Sequence, residues 1–184
     1  LGQRDRRATA NPQTKRASQP AVPSKLPTVI SAAEWQTMAA ALYDEKWETA
    51  STLAAQYLAK LKSENQKKQL AQLRYIYLYS LAGKVSEGKM PFAELERIAN
   101  TFLGQEFMLA PRQILADCKT KVNYICAAKN SDRIARVTAT NRAGTAIHSF
   151  EYVVLDEKLD ARAHNEKVAF LSGTLKKVES SAVK

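Results

Sequence analysis

Apolar residues recur at helical spacing along the first half of the chain and alternate or run in short blocks along the second. The change of period falls at Pro91–Gly104. There Phe92, Leu95, Ile98, Ala99, Phe102 and Leu103 fall at i, i+3, i+6, i+7, i+10 and i+11, which is one stripe on a helix. Pro91 suits the first helical position, where its missing N–H has no partner to lose. Glu94 and Glu96 place negative charge at the positive end of the helix dipole. Gly104 follows the last apolar pair and can take the left-handed cap conformation. A stripe of this kind is read as core rather than as a partner groove. It is expected to pack the helices, with one edge against the β region that follows.

Ahead of it, Ser31-Ala32-Ala33-Glu34 matches a capping box, with Ile30 and Trp35 placed as a hydrophobic staple. Trp35, Met38, Ala39 and Leu42 then predict a helix ending near Tyr43. Trp47, Ala50, Ala54, Tyr57, Leu58 and Leu61 predict a second, up to about Lys62. Leu70, Leu73, Ile76, Tyr77 and Leu81 predict a third, with Gly83 as its stop. Tyr75, Tyr77 and Tyr79 are spaced by two and cannot share one helical face, so one or two belong to the core and the rest are partly exposed. Short connections imply antiparallel neighbours, hence two helical hairpins.

The Trp, small Ala and Tyr/Leu positions of residues 31–103 resemble tetratricopeptide-type helical hairpins. The resemblance implies protein–protein binding and no catalysis. Two hairpins fall short of the roughly three repeats such arrays need, so the following β region is expected to cap them.

Beyond Gly104, Phe107–Leu109 begins an extended segment that Pro111 interrupts, and Ile114–Ala116 is a short apolar run. Val122–Ala128, Arg133–Thr140 and Ala146–Leu155 read as strands, separated by the turn residues Lys129–Asp132 and Asn141–Gly144. Asp156–His164 is polar with one turn around Leu159, and Val168–Val178 is the last strand, with a bend or bulge at Gly173. About five short, mostly antiparallel strands with one insertion before the last, closing on Phe-Leu-Ser-Gly-Thr-Leu, resemble a small oligonucleotide/oligosaccharide-binding (OB) barrel. That resemblance raises a nucleic-acid role without establishing it. The expected class is α+β: four helices in antiparallel hairpins over 29–104, a small antiparallel OB-like β-barrel over 105–179, and a short tail at 180–184.

Composition changes this picture at the N-terminus. The chain of 184 residues carries a formal charge of +10, and half of that lies in residues 1–28, where Arg4, Arg6, Arg7, Lys15, Arg16 and Lys25 face one acid, Asp5. Four prolines and no aromatic residue leave this stretch too little apolar surface to offset the entropy of ordering. It is expected to be a disordered, solvated linker, with a phosphate- or lipid-contacting arm as the alternative. The chain begins with Leu1, which favours an exported bacterial protein, periplasmic or secreted, over a cytoplasmic one. No run approaches the ~20 apolar residues of a membrane-spanning helix.

Chemistry-bearing motifs are sparse. His148 and His164 are the two histidines, and the chain holds no HExxH, GxSxG, Gly-rich phosphate loop or Asp-rich metal loop. Cys118 and Cys126, eight apart, match no zinc-ligand spacing. A turn at Lys119–Lys121 would not set them opposite one another, so two structural cysteines are favoured over a disulfide or a Cys–His pair. Tyr75, Tyr79, Tyr124, Arg133, Arg136 and Tyr152 are the candidate binding residues, aromatic and basic, with Arg133 and Arg136 expected on opposite strand faces. The expected function is that of a non-enzymatic exported binding or scaffold protein without cofactor or metal, contacting another protein. The alternative is a nucleic-acid binder with the basic tail as its arm.

Overall fold

The computed structural model describes residues 30–61, 66–117, 124–128, 131–140 and 147–180. Helices come first: α1 (Ala32–Tyr43), α2 (Trp47–Lys60), α3 (Lys67–Ser86) and α4 (Phe92–Asn100). Among the described residues seven strands follow: β1 (Glu106–Met108), β2 (Arg112–Ile114), β3 (Tyr124–Ala128), β4 (Ser131–Thr140), β5 (Ile147–Val154), β6 (Val168–Ala169) and β7 (Ser172–Thr174). The α+β character is as the periodicity predicts. The basic tail with its six named cations, Arg4, Arg6, Arg7, Lys15, Arg16 and Lys25, lies outside the described residues.

Local rules account for the helix starts. The capping box at α1 forms: the Ser31 hydroxyl accepts from the Glu34 N–H at 3.2 Å, and the Glu34 carboxylate accepts from the Ser31 N–H at 2.6 Å. Ile30 is fully buried and Trp35 packs against the same cluster. At α4 the expectation shifts by one residue. Pro91 is the extended N-cap (φ −71°, ψ 144°), and the helix proper is nine residues long. Its C-terminal end tightens through bonds from Thr101 N to Ile98 O and Phe102 N to Ala99 O, and Gly104 turns the chain out at φ 75°.

Gly83 does not stop α3. The helix runs on to Ser86, and Gly83 is buried within it against the indole ring of Trp47. A glycine that reads locally as a terminator is here a notch for another helix's side chain. The helical core gathers Met38 of α1, Ala54 and Tyr57 of α2, Leu73, Tyr75, Ile76, Leu78 and Leu81 of α3, and Leu95 and Ala99 of α4. Fully buried Ala50 and Ala54 fit close approach of α2 to α3.

Phe107 of β1 belongs to this same core, so the β region docks directly on the helices. Phe102 makes an edge-to-face contact with Tyr77 on one side and with Phe107 on the other, at centroid distances of 6.1 and 6.3 Å. The Arg74 guanidinium donates to the Glu106 carbonyl at 3.0 Å and ties β1 to α3.

The strands form a curled, mixed half-barrel in the order β5-β4-β3-β2-β6, beside a two-stranded ribbon of β1 and β7. β2 and β3 run parallel, so the sheet is mixed where a mostly antiparallel barrel was expected. The predicted long last strand also divides. β6 pairs with β2 and β7 pairs with β1, both antiparallel. Glu106↔Thr174 and Met108↔Ser172 follow one register, whereas Arg112↔Ala169 is offset from it by one residue. The offset falls at Pro111, which has no N–H to give to a ladder. One antiparallel strand pair is therefore broken in the middle and shared between two sheets. The break opposite Pro111 is at Phe170–Leu171, and Gly173 sits inside β7 opposite Phe107, so the bend is not at the glycine.

A second, smaller core lies on the inner face of the half-barrel. Ile114, Ile125, Ala135 and Val137 form it, with Val153, Leu155, Leu159, Ala161, Ala169 and Leu171 packed around them. Leu109 touches both cores and joins them.

Candidate functional site

Alternation assigns the sheet faces. Ile114, Ile125, Ala135, Val137 and Val153 point into the second core. Their sequence neighbours Gln113, Tyr124, Cys126, Ile134, Arg136 and Val154 therefore point to the other side. Val168 joins them as the register partner of Gln113. Among the described residues neither hydrophobic cluster includes Gln113, Tyr124, Ile134, Arg136, Val154 or Val168, while Cys126 on this side is buried. Val154 is 77% exposed and Val168 62%, Gln113 and Arg136 are exposed, and Tyr124 is half-buried. A shallow depression lies on this side, lined by Pro111, Arg112, Gln113, Tyr124 and Val168. Phe170, 57% exposed, follows directly after β6.

The residues expected to bind do not converge on one site. Tyr124 and Arg136 stand on the outer face, and Tyr152 is the register partner of Arg136. Arg133 falls on the opposite side from Arg136, at the rim of the inner face, and donates to the Asp156 carbonyl at 3.2 Å. Tyr75 and Tyr79 lie in the helical half. Tyr75 is buried, and Tyr79 stacks at a tilt on Tyr75 and Trp47, with centroids 5.4 and 6.1 Å away. These two tyrosines extend the packing of α2 on α3. Val154 and Val168 were the missed surface residues. Each stands in an apolar run, and only the direction of the pleat tells that it faces outward.

Cys126 is disulfide-bonded, against the expectation of two separate cysteines. The other cysteine of the chain, Cys118, lies outside the described residues. The objection from a turn at Lys119–Lys121 assumed a hairpin. Parallel pairing of β2 and β3 replaces the hairpin with a crossover, and that geometry carries no such restriction. His164 is exposed on the turn after Leu159, where its Nδ1 lies 3.0 Å from the Asp160 carbonyl. Among the described residues no group of three or more His, Cys, Asp or Glu side chains is placed to hold a metal ion. No described helix is long and apolar enough to cross a membrane.

No protein-family model, no curated protein and no solved structure matches this chain.

Proposed function

We propose that this chain is a non-enzymatic, exported binding or scaffold protein that contacts another protein through the outer face of its curled sheet. The observation that carries the reading is the exposure of Val154 and Val168 on this face. A half-barrel that packs one side and leaves aliphatic side chains bare on the other has surface to bury against a partner. Among the described residues this side carries Arg136 and, at the rim of the depression, Arg112, whereas a phosphate backbone calls for a row of cations along a groove. That balance favours protein over nucleic acid. On this reading the curled sheet is an incomplete OB-like barrel, and the antiparallel, tetratricopeptide-like helical hairpins brace it.

The disulfide at Cys126 supports an oxidising compartment, and it removes that thiol from any role as nucleophile. The test is site-specific photo-crosslinking, with benzoylphenylalanine at Val154 or Val168 and, as a control, at exposed Arg97 on α4. Discrete protein adducts from the two sheet positions, absent from the control, are expected. The reading fails if neither sheet position gives an adduct, or if the chain instead retains single-stranded DNA at physiological salt.

A further inference from the structure

We infer that the outer-face depression, together with Arg136, takes an extended segment of the protein partner in which two acidic residues flank an aliphatic one on the same face. The inference rests on the sheet-face reading and names the chemistry of its partner. The depression, of about 420 Å³, is walled by Pro111, Arg112, Gln113, Tyr124 and Val168. Val168, Gln113 and Tyr124 are register partners and stand in one row across β6, β2 and β3. Arg112 is half-buried at the rim. Its Nη1 donates to the Pro111 carbonyl at 3.0 Å, and its Nε is buried without a hydrogen-bond partner.

Charge selects the occupant. Among the described residues neither Arg112 nor Arg136 forms an ion pair. No acidic residue lines the depression. The stretches 118–123, 129–130 and 141–146, next to these strands in sequence, contain no acidic residue either. A guanidinium partly withdrawn from water and lacking a counter-ion is stabilised by a carboxylate brought to it, and its planar fork of donors matches that group. Spacing then fixes the pattern of acids. Arg112 and Arg136 lie two strands and three residue steps apart, about 14 Å between α-carbons at ladder spacing. An extended chain covers that span in about four residues and returns to one face at every second residue. Acids at i and i+4 therefore meet the two arginines. The aliphatic residue at i+2 falls over half-buried Tyr124, on the strand between them. Complementary charge of this kind sets the register of a partner as well as attracting it.

The experiment uses fluorescence anisotropy with a fluorescein-labelled nine-residue peptide that has glutamate at its third and seventh residues, valine at its fifth and threonine elsewhere. One comparison peptide carries glutamine for both glutamates. Another has its glutamates at the third and sixth residues, which places them on opposite faces. The first peptide is expected to bind, and each comparison peptide to bind at least about tenfold more weakly. Arg112→Gln and Arg136→Gln are each expected to weaken binding of the first peptide about tenfold. Arg136→Glu is expected to regain binding with a peptide that carries lysine in place of one glutamate, a recovery that a misfolded chain could not show. No binding at about 1 mM protein, equal binding of the glutamine peptide, or binding indifferent to both arginines overturns the inference. So does a single-stranded DNA that binds the parent chain as tightly as the peptide. Photo-adducts from Val154 or Val168 that survive Arg112→Gln combined with Arg136→Gln would leave the sheet-face reading standing and remove the acidic segment. A parent chain that gives no adducts overturns the sheet-face reading itself.

Discussion

Gly83 of α3 lies so close under the indole of Trp47 that a β-carbon there would sit 2.5 Å from the Trp47 Cε2 atom. The same indole N–H donates to the Glu87 carboxylate at 3.0 Å, which fixes the ring in place. Alanine at Gly83 would gain up to about 1 kcal/mol of helix propensity. The overlap is with a buried ring tethered through its N–H, so it dominates. Gly83→Ala is expected to destabilise the chain by about 1–3 kcal/mol net. Urea denaturation of the two proteins checks this, and an unchanged midpoint would show that Trp47 yields freely.

A second relationship binds α1 to α2. The Tyr57 hydroxyl, then the Ser31 N–H and hydroxyl, hold the Glu34 carboxyl down at about 2, against an ordinary 4.5, with a smaller contribution from the Lys60 charge. Tyr57 is correspondingly raised by the Glu34 carboxylate. A carboxyl depressed in the folded state stabilises at pH values above its unfolded pKa, and the gain is lost as pH falls from about 4.5 through about 2. Glu34→Gln is expected to flatten the acid limb of stability over that window relative to the parent chain. Urea midpoints measured at several pH values between 5 and 2 decide it; parallel curves would rule the coupling out.

Reduction is the third test. The bond at Cys126 constrains the unfolded chain, and its one available partner in sequence is eight residues away. A loop this short contributes about 2–3 kcal/mol. Cys126→Ala is expected to lose that amount and to become indifferent to dithiothreitol, which should lower the thermal midpoint of the parent. A parent chain that melts identically with and without reductant contradicts the prediction.

The join between helices and strands gives the fourth. Phe102 stands between Tyr77 and Phe107, so its ring contacts one residue of α3 and one of β1. A double-mutant cycle with Phe102→Leu and Phe107→Leu is expected to return a coupling of about 0.5–1.5 kcal/mol. Strict additivity would mean that the two rings touch without interacting energetically.

The capping box at Ser31–Glu34 and the cap at Gly104 are contacts within a few residues, and both are readable in one dimension. The division of the three tyrosines is readable too, because 100° per residue separates Tyr75 from Tyr77 whatever packs around them. Gly83 and Gly173 were misread for the opposite reason. Their meaning depends on what stands opposite: an indole ring in one case, open space in the other. Nothing in the residues flanking either glycine encodes that.

The candidate surface divides in the same way. Ala135 and Val137 alternating with Arg136 separate two faces of β4, and that alternation is a property of the chain. Which face is buried and which stays bare was set by the curl of the sheet and by Leu155, Leu159, Ala161 and Leu171 folding over one side. The parallel pairing of β2 with β3, and with it the setting of Cys126, was likewise out of reach, since strand direction is a relation between segments.

By itself, then, the sequence determined the order of helices and strands, the caps at Ser31 and Gly104, and the change of period at Pro91–Gly104, because these depend on local sterics and on contacts a few residues apart. The partners of the last strand, the open space at Gly173 and the exposure of Val154 and Val168 were decided by the tertiary structure. Each depends on surfaces brought together from segments far apart in the chain, and their burial is settled only when both sides are in place.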